Sequence, residues 1–169
     1  PLVGDLKLLL PQLTEEVRRA FAAAGRADVS AWWSKVSAWR EKHPLHHAPQ
    51  GDEWIMPQHV IRRIWEKTQG KALVTTGVGE HQMFAAQYWK TTMPRQFITS
   101  GGLGTMGFCL PAAMGAQLGR PDALVVGIDG DGSFIMTEQD LATAVTEEIP
   151  TVSIVMNNRV LGMVRQWQE

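Results

Sequence analysis

Hydrophobic positions change their spacing partway along this chain. In the first part they recur at helical intervals. Leu6 to Leu10 is apolar, and the Ala-rich stretch Leu13–Ala24 carries Glu15, Glu16, Arg18 and Arg19 between its apolar positions, so the pattern predicts a helix stopped by Gly25. Ser30 is placed to cap a second helix, with Trp32, Val36 and Trp39 on one face and His43-Pro44 as its end. Leu2 to Asp5 reads as the close of a strand. Leu45 to Asp52, with His46-His47, Pro49 and Gly51, reads as a solvated linker rather than a metal site.

Beyond the linker the pattern becomes regular. Pro57 opens a helix with Val60, Ile61, Ile64 and Trp65 on one face and Gly70 as its stop. Four short apolar runs follow: 72–76, 96–99, 124–128 and 152–156. Runs that are apolar throughout, rather than alternating, predict buried parallel strands. Helical stretches at 108–118 and 138–148 separate the later runs, the second with Thr137 and Asp140 spaced as a capping box. Strand alternating with helix predicts a doubly wound α/β parallel sheet. The expected division is 1–50, a domain tail and helical linker, and 51–169, the sheet domain.

Bulk properties narrow the classes. The chain has 169 residues, 44% hydrophobic and 20% charged, enough for one globular domain with a core. A net charge of −1 gives no reason to expect nucleic acid or an acidic membrane surface as partner, and no apolar run is long enough to span a bilayer. The lone Cys109 suits a reducing compartment. A start at Pro1 and an end inside a helical pattern suggest a piece of a longer protein, incomplete at the C-terminal side of its sheet.

Each predicted strand runs into a polar or Gly-rich cluster, and in an open parallel sheet ligands bind beyond the carboxyl ends of the strands. The clusters are Thr76–Gln82, Ser100–Gly107, Asp129–Ser133 and Asn157–Gly162. The second contains Gly102-Leu103-Gly104-Thr105-Met106-Gly107, which matches a dinucleotide fingerprint, with Asp129 at the end of the next strand as the ribose-binding acid. An NAD-dependent dehydrogenase therefore competes, but it leaves Asp131 and Asn157-Asn158 unused. A metal–diphosphate reading uses all four clusters. Asp131 supplies a carboxylate oxygen, Asn158 an amide oxygen and Val160 a backbone carbonyl, and phosphate oxygens and water complete an octahedron suited to Mg2+. Ser133 and the main-chain N–H groups opening the next helix suit diphosphate oxygens.

Gly130-Asp131-Gly132 followed by Asn157-Asn158 resembles the thiamine diphosphate motif. The strings Val78–Met83, Gly102–Phe108 and Asn157–Gln168 resemble the catalytic large subunit of the acetohydroxyacid (acetolactate) synthases more specifically. Gly162–Gln168 argues against pyruvate oxidase or glyoxylate carboligase relatives. The resemblance covers nearly the whole chain. It implies thiamine diphosphate and Mg2+ at a dimer interface, within a homodimer or tetramer. A Glu from the other subunit activates the cofactor, and an FAD without net redox role sits on the central domain. Pyruvate loses CO2 and is joined to a second 2-keto acid, pyruvate or 2-ketobutyrate, on the route to branched-chain amino acids. A small regulatory subunit and a cytoplasmic, bacterial or archaeal setting also follow from it, as does inactivity of these residues alone.

Carried over, the resemblance implies that Asp131, Asn158 and Val160 bind the metal. Glu80, His81, Gly104, Gly132, Ser133, Leu161, Gly162 and Met163 contact the cofactor. Met106 supports its bent shape and Trp167 shapes the pocket for the second keto acid. Glu80 departs from the Gln of many relatives, and a carboxylate beside a diphosphate is electrostatically awkward. Cys109 stands where relatives often have Gly and reads as a packing change.

Overall fold

The computed structural model describes residues 1–47 and 54–168, so most of the expected linker at 45–52 lies outside the described residues. The chain divides into two compact units, Pro1–Pro44 and Leu45–Glu169.

The first unit holds α1 (Leu6–Ala24) and α2 (Ser30–Lys42). The strand expected at Leu2–Asp5 does not form. Asp5 instead caps α1, its carboxylate accepting from Lys7 N at 2.8 Å. Ser30 is not a cap either: it is the first helical residue, and Asp28 accepts from its N–H at 2.9 Å. Trp32 and Trp39 meet edge to face at 5.7 Å, as their shared helical face requires.

The second unit is a parallel sheet flanked by helices. In chain order it comprises α3 (Pro57–Lys67), β1 (Leu73–Thr76), α4 (Glu80–Tyr88), β2 (Phe97–Thr99), α5 (Cys109–Gly119), β3 (Val125–Gly130), α6 (Asp131–Phe134), α7 (Asp140–Thr146), β4 (Val152–Met156) and α8 (Gly162–Gln168). The sheet order is β2-β1-β3-β4, all neighbours parallel. The order reverses between β1 and β3, so the winding changes direction there, which is where such sheets open a crevice.

Alternation along the central strands fills both faces. Val74, Val126 and Ile128 pack with Ile61 of α3, Ala85 of α4 and Trp89 just after it. Leu73 and Val125 pack with Ala113 of α5. Leu110 and Met114 of α5 meet Ala144 of α7. Thr75 is polar yet wholly buried, because its hydroxyl donates to Cys109 O at 3.1 Å. Gly127 answers Cys109 across the same layer: a Cβ there would lie 3.0 Å from Sγ.

Four differences from the sequence pattern have local causes. α4 carries no long apolar stripe and was not expected as a helix; only His81 and Ala85 are buried along it. α6 is a single short turn also missing from the pattern. Thr137 does not cap a helix, because its hydroxyl donates to Gly107 O at 2.9 Å, and α7 starts only at Asp140. β4 is not buried throughout: it ends the sheet among the described residues, and Val152 and Val155 are exposed. Among the described residues, no helix is long and apolar enough to cross a membrane.

Candidate functional site

Because all four strands run parallel, their four polar clusters emerge at one edge. There they line a cleft of about 960 Å3. Val78 to His81 come from the first cluster, Gly104 and Met106 from the second, Gly130 to Ser133 from the third, and Asn157, Asn158 and Val160 to Met163 from the fourth. Trp54, Ile55 and Met56, ahead of α3, add an apolar wall that the sequence reading did not include.

The third and fourth clusters are held side by side by the sheet ladder. Gly130 is in register with Met156, so Asp131 and Asn157-Asn158 leave adjacent strands at the same level. Neighbouring strands lie about 4.8 Å apart. The fourth cluster is folded by two overlapping turns: Asn157 Oδ1 accepts from Arg159 N and Asn158 Oδ1 from Val160 N, both at 3.2 Å. The other end of the Asn158 amide donates from Nδ2 to Glu80 Oε2 at 3.0 Å. Among the described residues no group of three or more His, Cys, Asp or Glu gathers as a metal site. The side-chain carboxylates that line this edge are those of Glu80 and Asp131, and the side-chain amides those of Asn157 and Asn158.

Behind the cleft is a buried polar cluster. Asp129 is a residue of β3, 1% exposed, and its Oδ1 accepts from Gly130 N at 3.0 Å. Its carboxylate lies against Gly77, where a Cβ would meet Oδ1 at 1.8 Å and Ser133 Oγ at 2.5 Å. Burial raises the Asp129 carboxyl, and hydrogen bonds from Ser133 and Gly130 offset part of that. Ser133 Oγ also accepts from Gly107 N at 3.0 Å. The serine lines the cleft, but its hydroxyl serves the interior. His81 fits between two glycines: a Cβ on Gly79 would come within 2.8 Å of Cε1, and one on Gly130 within 2.7 Å of Nδ1. His81 Nε2 faces Asp129 Oδ1 at 3.5 Å. Burial holds its imidazole down at about 4, against smaller upward pulls from the Gly77 backbone and the Asp131 charge.

Met106 reaches the cleft, and with Leu161 it covers Gly132, whose added Cβ would meet Leu161 Cδ2 at 2.9 Å and Met106 Cε at 3.6 Å. Trp167 does not line the cleft; it lies on α8 with 86% of its surface exposed. Cys109 is buried and its thiol is pushed up to about 12, chiefly by desolvation, so it is no nucleophile.

The dinucleotide reading of Gly102–Gly107 fails on this geometry. Its strand, β2, is an edge strand of the sheet among the described residues rather than a central one. Asp129, the required acid, is already committed inside the protein and cannot reach a ribose.

Parallel strands, a winding reversal and a cleft at the carboxyl edge define a doubly wound α/β domain of the kind whose ligand sites lie across that edge. The chain belongs to the thiamine pyrophosphate enzymes, since residues 77–169 match the thiamine pyrophosphate enzyme C-terminal TPP binding domain. Similar curated proteins include acetolactate synthase 1, chloroplastic, of Nicotiana tabacum, 49% identical over 98% of this chain and 25% of that protein. Acetolactate synthase of Mycobacterium leprae is 45% identical over 99% of this chain and 27% of its own length. The acetolactate synthase isozyme 3 large subunit of Escherichia coli is 44% identical over 100% and 29%. The chain thus spans about a quarter of the length of the curated relatives it matches.

Proposed function

We propose that this chain is the diphosphate- and metal-binding part of an acetolactate synthase large subunit. Residues 1–50 then correspond to the tail of a central domain and a linker, and 51–169 to the cofactor domain. The observation that carries the reading is the register Gly130↔Met156, which brings Asp131 and Asn158 to one cleft from adjacent strands.

The donor set fits the cofactor. Asp131, the Asn158 amide oxygen and the Val160 carbonyl are hard oxygen donors, which suit Mg2+ bridged to a diphosphate. Gly132, beneath Met106 and Leu161, leaves room that a side chain would fill. His81, Gly104, Gly162 and Met163 supply the remaining contacts. Bound thiamine diphosphate supplies a nucleophilic carbon for 2-keto acids. The chain's own part is to anchor the anionic end, neutralise its charge and keep the apolar Met106 side of the cleft dry.

In the whole protein the substrates are pyruvate and a second 2-keto acid, pyruvate or 2-ketobutyrate, in branched-chain amino acid synthesis. Its assembly is a homodimer or tetramer closing the active site, with FAD on the central domain, a small regulatory subunit and a cytoplasmic setting in a bacterium or archaeon. Trp167 shapes the acceptor pocket only in that assembly.

The test is a thermal-shift titration. Thiamine diphosphate with Mg2+ raises the unfolding temperature, and at a hundredfold excess over Kd the added stability is about 2.7 kcal/mol. NAD does not, and Asp131→Ala removes the effect. A shift with NAD and none with thiamine diphosphate overturns the reading. The chain by itself is expected to form no acetolactate from pyruvate, whereas the whole protein does.

A further inference from the structure

The first residue of α4 reaches the loop after β4. Glu80 Oε2 accepts from Asn158 Nδ2 at 3.0 Å, across a chain separation of 78 residues. The Glu80 carboxylate fills the place a side chain at Gly162 would take: a Cβ there would meet Oε2 at 1.9 Å and Cδ at 2.2 Å. Asn158 Oδ1, the opposite end of the amide, accepts from Val160 N at 3.2 Å.

An asparagine amide has a donating and an accepting end, and a half-turn of the group exchanges them. A hard cation can be held only by the oxygen. An ionised carboxylate accepts and cannot donate, so it can face only the NH2 end. We infer that Glu80 is a positioning residue for Asn158, fixing the amide so that its oxygen is presented to the divalent cation. This rests on the proposed reading of Asn158 as a metal ligand. It also gives the carboxylate a task that keeps it off the diphosphate, because its charge is directed onto an amide N–H and held against Gly162. The contact is absent from any local pattern, and Gly162 is required because the carboxylate occupies its side-chain space.

The test is Mn2+ binding in the presence of thiamine diphosphate, followed by the electron paramagnetic resonance signal of free Mn2+, on the full chain with folding checked by circular dichroism. Glu80→Ala is expected to weaken Mn2+ binding about tenfold, the size of one hydrogen bond to a charged group. Glu80→Gln keeps an accepting oxygen and is expected to stay within about threefold, the remaining loss being Coulombic. Gly162→Ala leaves Glu80 in the sequence but displaces its carboxylate, and should match Glu80→Ala. In an Asn158→Asp background there is no amide to orient, so Glu80→Ala should weaken binding by no more than the Coulombic part, about threefold. Wild-type affinity in Glu80→Ala and Gly162→Ala, or a Glu80→Gln variant as weak as Glu80→Ala, overturns the inference while leaving the metal reading intact. If the wild-type chain itself takes up no Mn2+ with thiamine diphosphate, the metal reading falls and this inference with it.

Discussion

His81 occupies a slot whose walls are two glycines, and that slot makes it an acid-sensitive point of the fold. Unfolded, an imidazole titrates near 6.5; here burial holds it at about 4. As pH falls below 6.5 the unfolded chain takes up a proton that the folded chain refuses. Stability is therefore lost between about pH 6.5 and about pH 4, and the loss then levels off. By itself His81 removes about 2 kcal/mol by pH 5. Asp129, raised by burial, acts in the opposite sense as pH falls toward the carboxyl range. Urea unfolding at pH 7 and pH 5 should show the loss, and His81→Gln should shrink it. The slot itself is tested by Gly130→Ala, whose Cβ must push against the imidazole. It should cost about 1–3 kcal/mol, read as a lower urea midpoint at pH 7. Cys109 should resist iodoacetamide at pH 8 in the native chain and react once the chain is unfolded, because its thiol is buried and neutral there.

At the scale of elements, each observed strand falls on one of the four apolar runs; burial on both faces explains the runs of β1 and β3, whereas β2 and β4 keep theirs while only partly covered. α4 was illegible. Its core-facing residues, Phe84, Ala85 and Tyr88 with Trp89 just after it, are confined to its second half, while His81 in its glycine slot is polar, so the apolar period is too short to mark a helix. Ser30 and Thr137 misled because capping residues have several possible partners, and tertiary contacts decide among them: Thr137 bonds to Gly107 O, from a distant loop. The site clusters were readable as polar ends of apolar runs, whereas the Glu80–Asn158 contact joins two clusters that only the sheet order brings together. α5 offers a clean test of helix energetics. Nothing lies within 4 Å of a Cβ added at Gly115 in its interior. Gly115→Ala should raise stability by about 0.5–1 kcal/mol, measured by urea unfolding.

At the scale of the whole molecule, stability concentrates in the middle of the sheet. β1 and β3 are buried along their full length, whereas β2 is only partly buried and β4 is half exposed. Native-state hydrogen exchange should find the amides of β1 and β3 slowest and those of β4 markedly faster; equal protection across the four strands would contradict this. The same centre carries the winding reversal, so the cleft opens beside the best-buried strands, with the more exposed β4 and the loop after it forming one of its sides.

The close approach of Gly77 to Asp129 has a consequence for how this chain can vary. The two positions lie on different strands' ends yet share one volume, since a Cβ at 77 would coincide with the carboxylate at 129. Any larger residue at 77 requires a smaller one at 129, and a shortened 129 leaves a void that 77 could fill. In a randomised library selected for folding, the two positions should covary as a unit, with the permitted pairs defined by their summed volume.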